Sequence, residues 1–95
     1  MAAYMIAELT IHDATAFAEY AKAVRPLIER YGGRVVVRSD AATSLEGDVP
    51  NHFVLIRFNS MDDAKRFYES DEYRRPRQSR LGGIATGRVF LAEEV

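Results

Sequence analysis

Residues 4–38 read YMIAELTI, then HDATAFAEYAKAVRPLIERYGG, then RVVVR, and the order strand, helix, strand that they spell decides the fold. In the first stretch, Tyr4 to Ile11, the side chains alternate: Met5, Ala7, Leu9 and Ile11 point one way and Tyr4, Ile6, Glu8 and Thr10 the other. Both faces carry apolar bulk. In the second stretch, Asp13 to Tyr31, the residues Phe17, Tyr20, Ala21, Val24, Leu27, Ile28 and Tyr31 recur at helical spacing, with Glu19, Lys22, Arg25, Glu29 and Arg30 largely opposite. Asp13 is placed to cap this helix and Gly32-Gly33 to end it. Pro26 lacks the amide hydrogen that would bond to Lys22, which predicts a kink there or two shorter helical pieces. Arg34 to Arg38 is a Val-rich second strand.

The second half repeats the plan. His52 to Asn59 reads as a strand, Met61 to Ser70 as a helix and Gly87 to Glu93 as a strand, giving β-α-β-β-α-β over one domain, residues 1–95. The fold class is α+β and ferredoxin-like: an antiparallel four-stranded sheet with helices on one face. Ser39 to Pro50 is a long hairpin connection with room for a short strand at Thr43 to Glu46. Ser60 caps the second helix, whose apolar side is Met61, Ala64, Phe67 and Tyr68, and Asp62 and Asp63 favour its first turn. Asp71 to Arg80 is a further short helix that Pro76 delays, beginning as a turn, and Gly82-Gly83 breaks it before the last strand.

Composition narrows the function more by exclusion than by indication. Thirteen basic against 14 acidic residues leave a net charge of -1, which disfavours a nucleic-acid partner. The absence of cysteine removes disulfides, thiolate nucleophiles and thiolate metal sites. The start, MAAYMIAELTIHD, has an acid at Glu8 and no basic leader, and no apolar run approaches membrane-spanning length. The expectation is a soluble cytoplasmic protein that engages neither nucleic acid nor membrane.

The two faces of the sheet predict a homodimer. The helix-covered set is Met5, Ala7, Leu9, Val35, Val37, Val54, Ile56, Phe58, Val89 and Leu91. The open set is Tyr4, Ile6, Val36, Phe53, Leu55 and Phe90, together with Glu8, Arg34, Arg38, Arg57 and Arg88. Full burial of a large apolar side chain is worth about 1.5 to 3 kcal/mol, so this face calls for a cover. Two such sheets packed face to face form a barrel whose mixed interior suits a small molecule.

Over nearly its whole length the chain resembles the small bacterial proteins grouped as domain of unknown function 1330, within the dimeric α/β-barrel superfamily. The residues that carry the resemblance are Tyr20 in AEYAKAVRPLIERYGGR, Val37-Arg38, Leu45-Glu46-Gly47, Phe58 and Ser60 in FNSMDDAKRFYES, and Ser70-Asp71-Glu72-Tyr73. The tip after Gly47 departs from the pattern, reading Asp48-Val49-Pro50 where members often have an aromatic. The resemblance implies the fold and a dimer, and names no substrate. It also implies a ligand-binding group of Arg38, Glu46, Tyr68, Ser70, Tyr73 and Arg80 around one cavity near the strand ends. An arginine fork in a partly dry pocket suits an acidic or carbonyl-bearing ligand. Alternatively, Arg38 and Glu46 form a structural pair across the hairpin.

Other constellations have structural readings that weigh more. Glu8 and Arg57, on first and third strands read as parallel neighbours, can pair on the open face; a desolvated carboxylate there is also a candidate general base. His12 and His52 lack ligand spacing and read as turn and strand-end histidines, so no metal or other cofactor is expected. Arg74, Arg75 and Arg77, offset by Glu69, Asp71 and Glu72, read as a solvated helix face. Two functions follow: a homodimer that binds a small acid or carbonyl compound, such as a cofactor-independent isomerase or oxygenase, or a non-catalytic interaction module whose charges serve the dimer interface. No catalytic residue is assigned by the sequence.

Overall fold

Asp13 ends one strand and starts a helix in a single step: its Oδ1 accepts from the Ala16 amide at 3.0 Å. The computed structural model describes all 95 residues. It contains β1 (Ala3–Ile11), α1 (Ala14–Arg30), β2 (Gly33–Ser39), β3 (His52–Phe58), α2 (Met61–Glu69), α3 (Asp71–Ser79), a turn (Arg80–Ile84) broken at Gly83, and β4 (Ala85–Glu93). Pro26 lies inside α1, which runs as one helix and is not divided into two pieces. The missing Pro26 bond costs less than the burial of Val24, Leu27 and Ile28 on either side of it recovers. Likewise α3 is helical from Asp71, with Pro76 in its interior, because Ser70 caps it and Tyr73 anchors it in the core. Thr43 to Glu46 forms no strand; the connection from Ser39 to Pro50 is irregular, and Leu45 has no sheet to pack on.

The strand order is β2-β3-β1-β4 and every neighbouring pair is antiparallel. The expected parallel pairing of the first and third strands is therefore wrong. The helical crossover brings β2 back parallel to β1, and the hairpin after β2 then reverses β3 against both. Gly87, at φ +145, lets β4 approach β1; a Cβ there would stand 2.0 Å from the Glu8 carbonyl oxygen.

α1, α2 and α3 pack over one face. Met5, Val24, Leu27, Ile28, Ile56, Phe58, Ala64, Phe67 and Tyr73 form the core between the layers. The other face has no cover within the chain, and the domain is accordingly thin, 32 × 31 × 16 Å. A bulge in the edge strand β2 rearranges the expected faces. Val35 pairs with Ile56 and Val37 with Leu55, so Val36 is the extra residue and the alternation slips by one. Val37 consequently joins the open face with Leu55, and Arg38, opposite Val54, turns to the helix-covered side. Both assignments reverse the sequence expectation.

Candidate functional site

The slip that turns Arg38 inward brings it to a cavity of about 100 Å³ between the sheet and the helices. Met5, Leu9, Val24, Ile56 and Val89 supply apolar wall, and the chemistry comes from Tyr20, Tyr73, Arg80 and His52. Arg38 and Arg25 also line it, and both are exposed, which places them at its mouth. The cavity lies within the chain, on the helix-covered side of the sheet and not on the open face where the sequence expectation puts it.

Each inner group is fixed by local structure. Tyr20 stands one turn before Val24 on the buried stripe of α1. Tyr73 is set by a double cap: Ser70 Oγ accepts from the Tyr73 amide at 3.2 Å and donates to the Phe67 carbonyl at 2.8 Å. The Tyr73 ring then packs on Phe67, with centroids 4.6 Å apart. The two phenol oxygens meet at 2.5 Å. Arg80 continues the helical backbone at the end of α3, before Gly83 breaks it at φ +121, and is 5% exposed.

Arg80 takes part in none of the ion pairs of the chain, which are Arg30–Glu72, Asp40–His52, Arg57–Glu94, Asp63–Arg66, Asp71–Arg74 and Glu8–Arg88. Its electrostatic neighbours are phenols. Burial disfavours its charge, but Tyr73 and Tyr20 outweigh that effect and hold its pKa above the ordinary value. Burial also drives the Tyr20 phenol well up from its ordinary value; Tyr73 adds to the rise and Arg80 opposes it. Tyr20 is thus a neutral hydroxyl at any working pH. Of the two phenol hydroxyls in this hydrogen bond, one O–H is used between them and the other is left to donate. The site therefore offers a guanidinium without a counter-ion beside a free hydroxyl donor, at the end of an apolar cavity.

His52, read from sequence as a strand-end residue, is a part of this site. It is 5% exposed and lines the cavity, and its ring stands edge-on to Phe17 with centroids 5.0 Å apart. Its Nδ1 is 2.5 Å from Asp40 Oδ1, and its buried Nε2 has no protein partner. No periodicity marks Asp40 and His52 as neighbours, because an irregular connection of twelve residues returns the chain to bring them together.

Of the six residues expected at a ligand site, Arg38, Tyr73 and Arg80 line this cavity. Ser70 acts one step behind, through Tyr73. Tyr68 lies in a separate shallow groove with Lys65, Glu69 and Phe90, and the Arg77 guanidinium stacks over its ring at 5.0 Å. Glu46 is exposed on the connection, outside the cavity. It makes no ion pair with Arg38, so the alternative of a hairpin pair is also set aside. Glu8 and Arg57 do not pair either. Glu8 binds Arg88, its direct cross-strand partner on β4, and Arg57 reaches Glu94 at 3.9 Å. Glu8 lies outside the cavity and is no candidate base for it. No cluster of three or more His, Asp or Glu is placed to hold a metal, and no helix is long and apolar enough to cross a membrane.

Four antiparallel strands in this order under three helices, with a cavity between the layers, define a ferredoxin-like α+β domain. The chain belongs to the family described as Domain of unknown function (DUF1330), which it matches over residues 2–95. Among solved structures it is similar to a protein of unknown function from Rhodopseudomonas palustris, at 18% identity and a TM-score of 0.79, covering 99% of this chain and 82% of that one. It is also similar to an ethyl tert-butyl ether d (EthD) family protein from Bacillus halodurans, at 16% identity and a TM-score of 0.58, covering 100% and 99%. At these identities the likeness is one of fold. No curated protein matches the chain.

Proposed function

We propose that this protein is a homodimer that binds a small acidic or carbonyl-bearing molecule in the cavity between sheet and helices of each subunit. The observation that carries the reading is Arg80: a buried guanidinium with no carboxylate partner, flanked by the hydroxyls of Tyr20 and Tyr73. An unpaired buried charge is costly, and a bound anion or a polarised carbonyl oxygen relieves that cost. The apolar wall selects a compact ligand. A cavity of about 150 Å³ holds a benzene ring, so this one of about 100 Å³ fits a short-chain acid. Arg38 and Arg25 at the mouth favour the approach of an anion. Within the superfamily resemblance, a cofactor-independent isomerase or oxygenase is the enzyme class that such a site would serve.

The open face supports the dimer. Val36, Val37 and Phe90 are exposed on it, beside half-buried Ile6 and Leu55, and the charges among them are largely paired within the chain. This same face favours the second reading, an interaction module without a ligand. Titration calorimetry with pyruvate, 2-oxobutanoate and acetoacetate separates the two. Saturable binding that the methyl esters lose supports the ligand site; no heat with any of the acids leaves the interaction module.

A further inference from the structure

We infer that His52, oriented by Asp40, is a general base that removes a proton from the carbon next to the carbonyl of a small acid held at Arg80. The inference rests on the ligand site proposed above and adds to it a reacting group, a step and a positioning residue. Asp40 accepts at Nδ1, which fixes the tautomer with its hydrogen there and leaves Nε2 as a bare lone pair. That lone pair is buried, without a protein partner, on a ring that lines the same cavity as Arg80, Tyr20 and Tyr73. A purely structural histidine would satisfy both ring nitrogens, since an unmade buried hydrogen bond is costly. Here one nitrogen is anchored and the other is left for something inside the cavity. Phe17 packs on both His52 and Tyr20 and adds an apolar ring to the cavity they line.

The step balances with the groups present. Nε2 takes the proton, the C–H electron pair becomes the C=C bond of an enolate, and the carbonyl π pair moves to oxygen. Arg80 and the free hydroxyl of the Tyr20–Tyr73 pair hold the negative oxygen, and Asp40 holds the imidazolium. Where the ligand carries a further double bond next to the reacting carbon, the enolate extends to a dienolate and return of the proton to its far carbon gives an isomer; return of deuterium to the same carbon gives exchange. No oxidant or reductant enters.

The test follows the C3 protons of 2-oxobutanoate in D₂O by proton NMR with the intact protein, alongside calorimetric binding of the same acid. The wild type should accelerate exchange over buffer. His52→Gln should lose that acceleration by about 100-fold or more while still binding the acid, in line with the loss of a general base. Asp40→Asn should slow exchange by about 10- to 100-fold with affinity unchanged, a split that loss of a structural contact alone does not produce. Arg80→Met should lose binding. Binding without exchange, or exchange that survives His52→Gln, overturns the base and leaves the ligand site standing. Failure of the wild type to bind the acid removes the ligand site and the base with it. A second measurement covers a His52→Gln protein that does not fold: bromoacetate on the wild type. With no cysteine to compete, a carboxylate docked at Arg80 should direct alkylation to His52 Nε2, with bromide leaving. Labelling should saturate, be blocked by acetate and be lost with neutral bromoacetamide, whereas exposed His12 should react without saturation. Equal labelling of both histidines by both reagents overturns the placement.

Discussion

Replacing Arg80 with Met separates a ligand site from a structural one, because the two roles predict opposite changes in the unliganded protein. Arg80 is buried without a carboxylate partner, and an apolar side chain of similar length removes its desolvation cost. Exchanging buried ionic groups for apolar ones is often neutral or stabilising by about 1 to 4 kcal/mol. Against that stands the loss of its interactions with Tyr20 and Tyr73, on the order of 1.5 to 3 kcal/mol for hydrogen bonds to a charged group. The two nearly cancel, so the net change should fall within about 1 kcal/mol, or about 4 to 8 °C in Tm for a chain of this length. Ligand response should behave differently. An acid at a hundred times its Kd stabilises the wild type by about 2.7 kcal/mol, more than about 10 °C, and should leave the variant unmoved. Differential scanning fluorimetry with and without 2-oxobutanoate reads both quantities. A fall of more than about 3 kcal/mol in the unliganded variant would refute the reasoning, since it would show that Arg80 holds the fold together.

Phe90→Asp, on the open face, should shift the protein from dimer towards a 10.7 kDa monomer in equilibrium ultracentrifugation at micromolar concentration; a wild type that is already monomeric there ends the face-to-face argument. Gly87→Ala should destabilise by several kcal/mol, on the order of 3 or more, because its Cβ would press on the Glu8 carbonyl and part β4 from β1; an unchanged Tm would show that the strands can slide to admit it. Tyr20→Phe bears on alkaline stability. In the wild type the folded state keeps the Tyr20 proton above the pH, about 10, at which an unfolded tyrosine loses it, so this contribution is present below pH 10 and declines as pH rises beyond. The variant should show a shallower loss of stability above pH 10 in denaturant titrations, and identical slopes would remove Tyr20 from the account.

How much of this was legible in the sequence depends on the range over which each feature is set. The element order, the Asp13 and Ser60 caps, the buried stripe of α1 and the Gly32-Gly33 stop are local matters of periodicity and turn chemistry, and the structure has all of them. The sequence also marked Arg38, Tyr73 and Arg80, though through family likeness and without a geometry. What only the tertiary structure decided lies in β2 and the connection after it. One unpaired residue, Val36, moves Arg38 through the plane of the sheet, and a bulge is a property of two strands paired with each other, which no single strand announces. The same holds for Asp40 and His52. Eleven residues of irregular chain separate them, and they meet only because β3 must turn back against β2 to bury its apolar face, which carries His52 from a strand end into the cavity. Local pattern sets elements and caps; the pairing of distant segments sets which polar groups are buried together, and in this protein those groups are the ones the proposed site is built from.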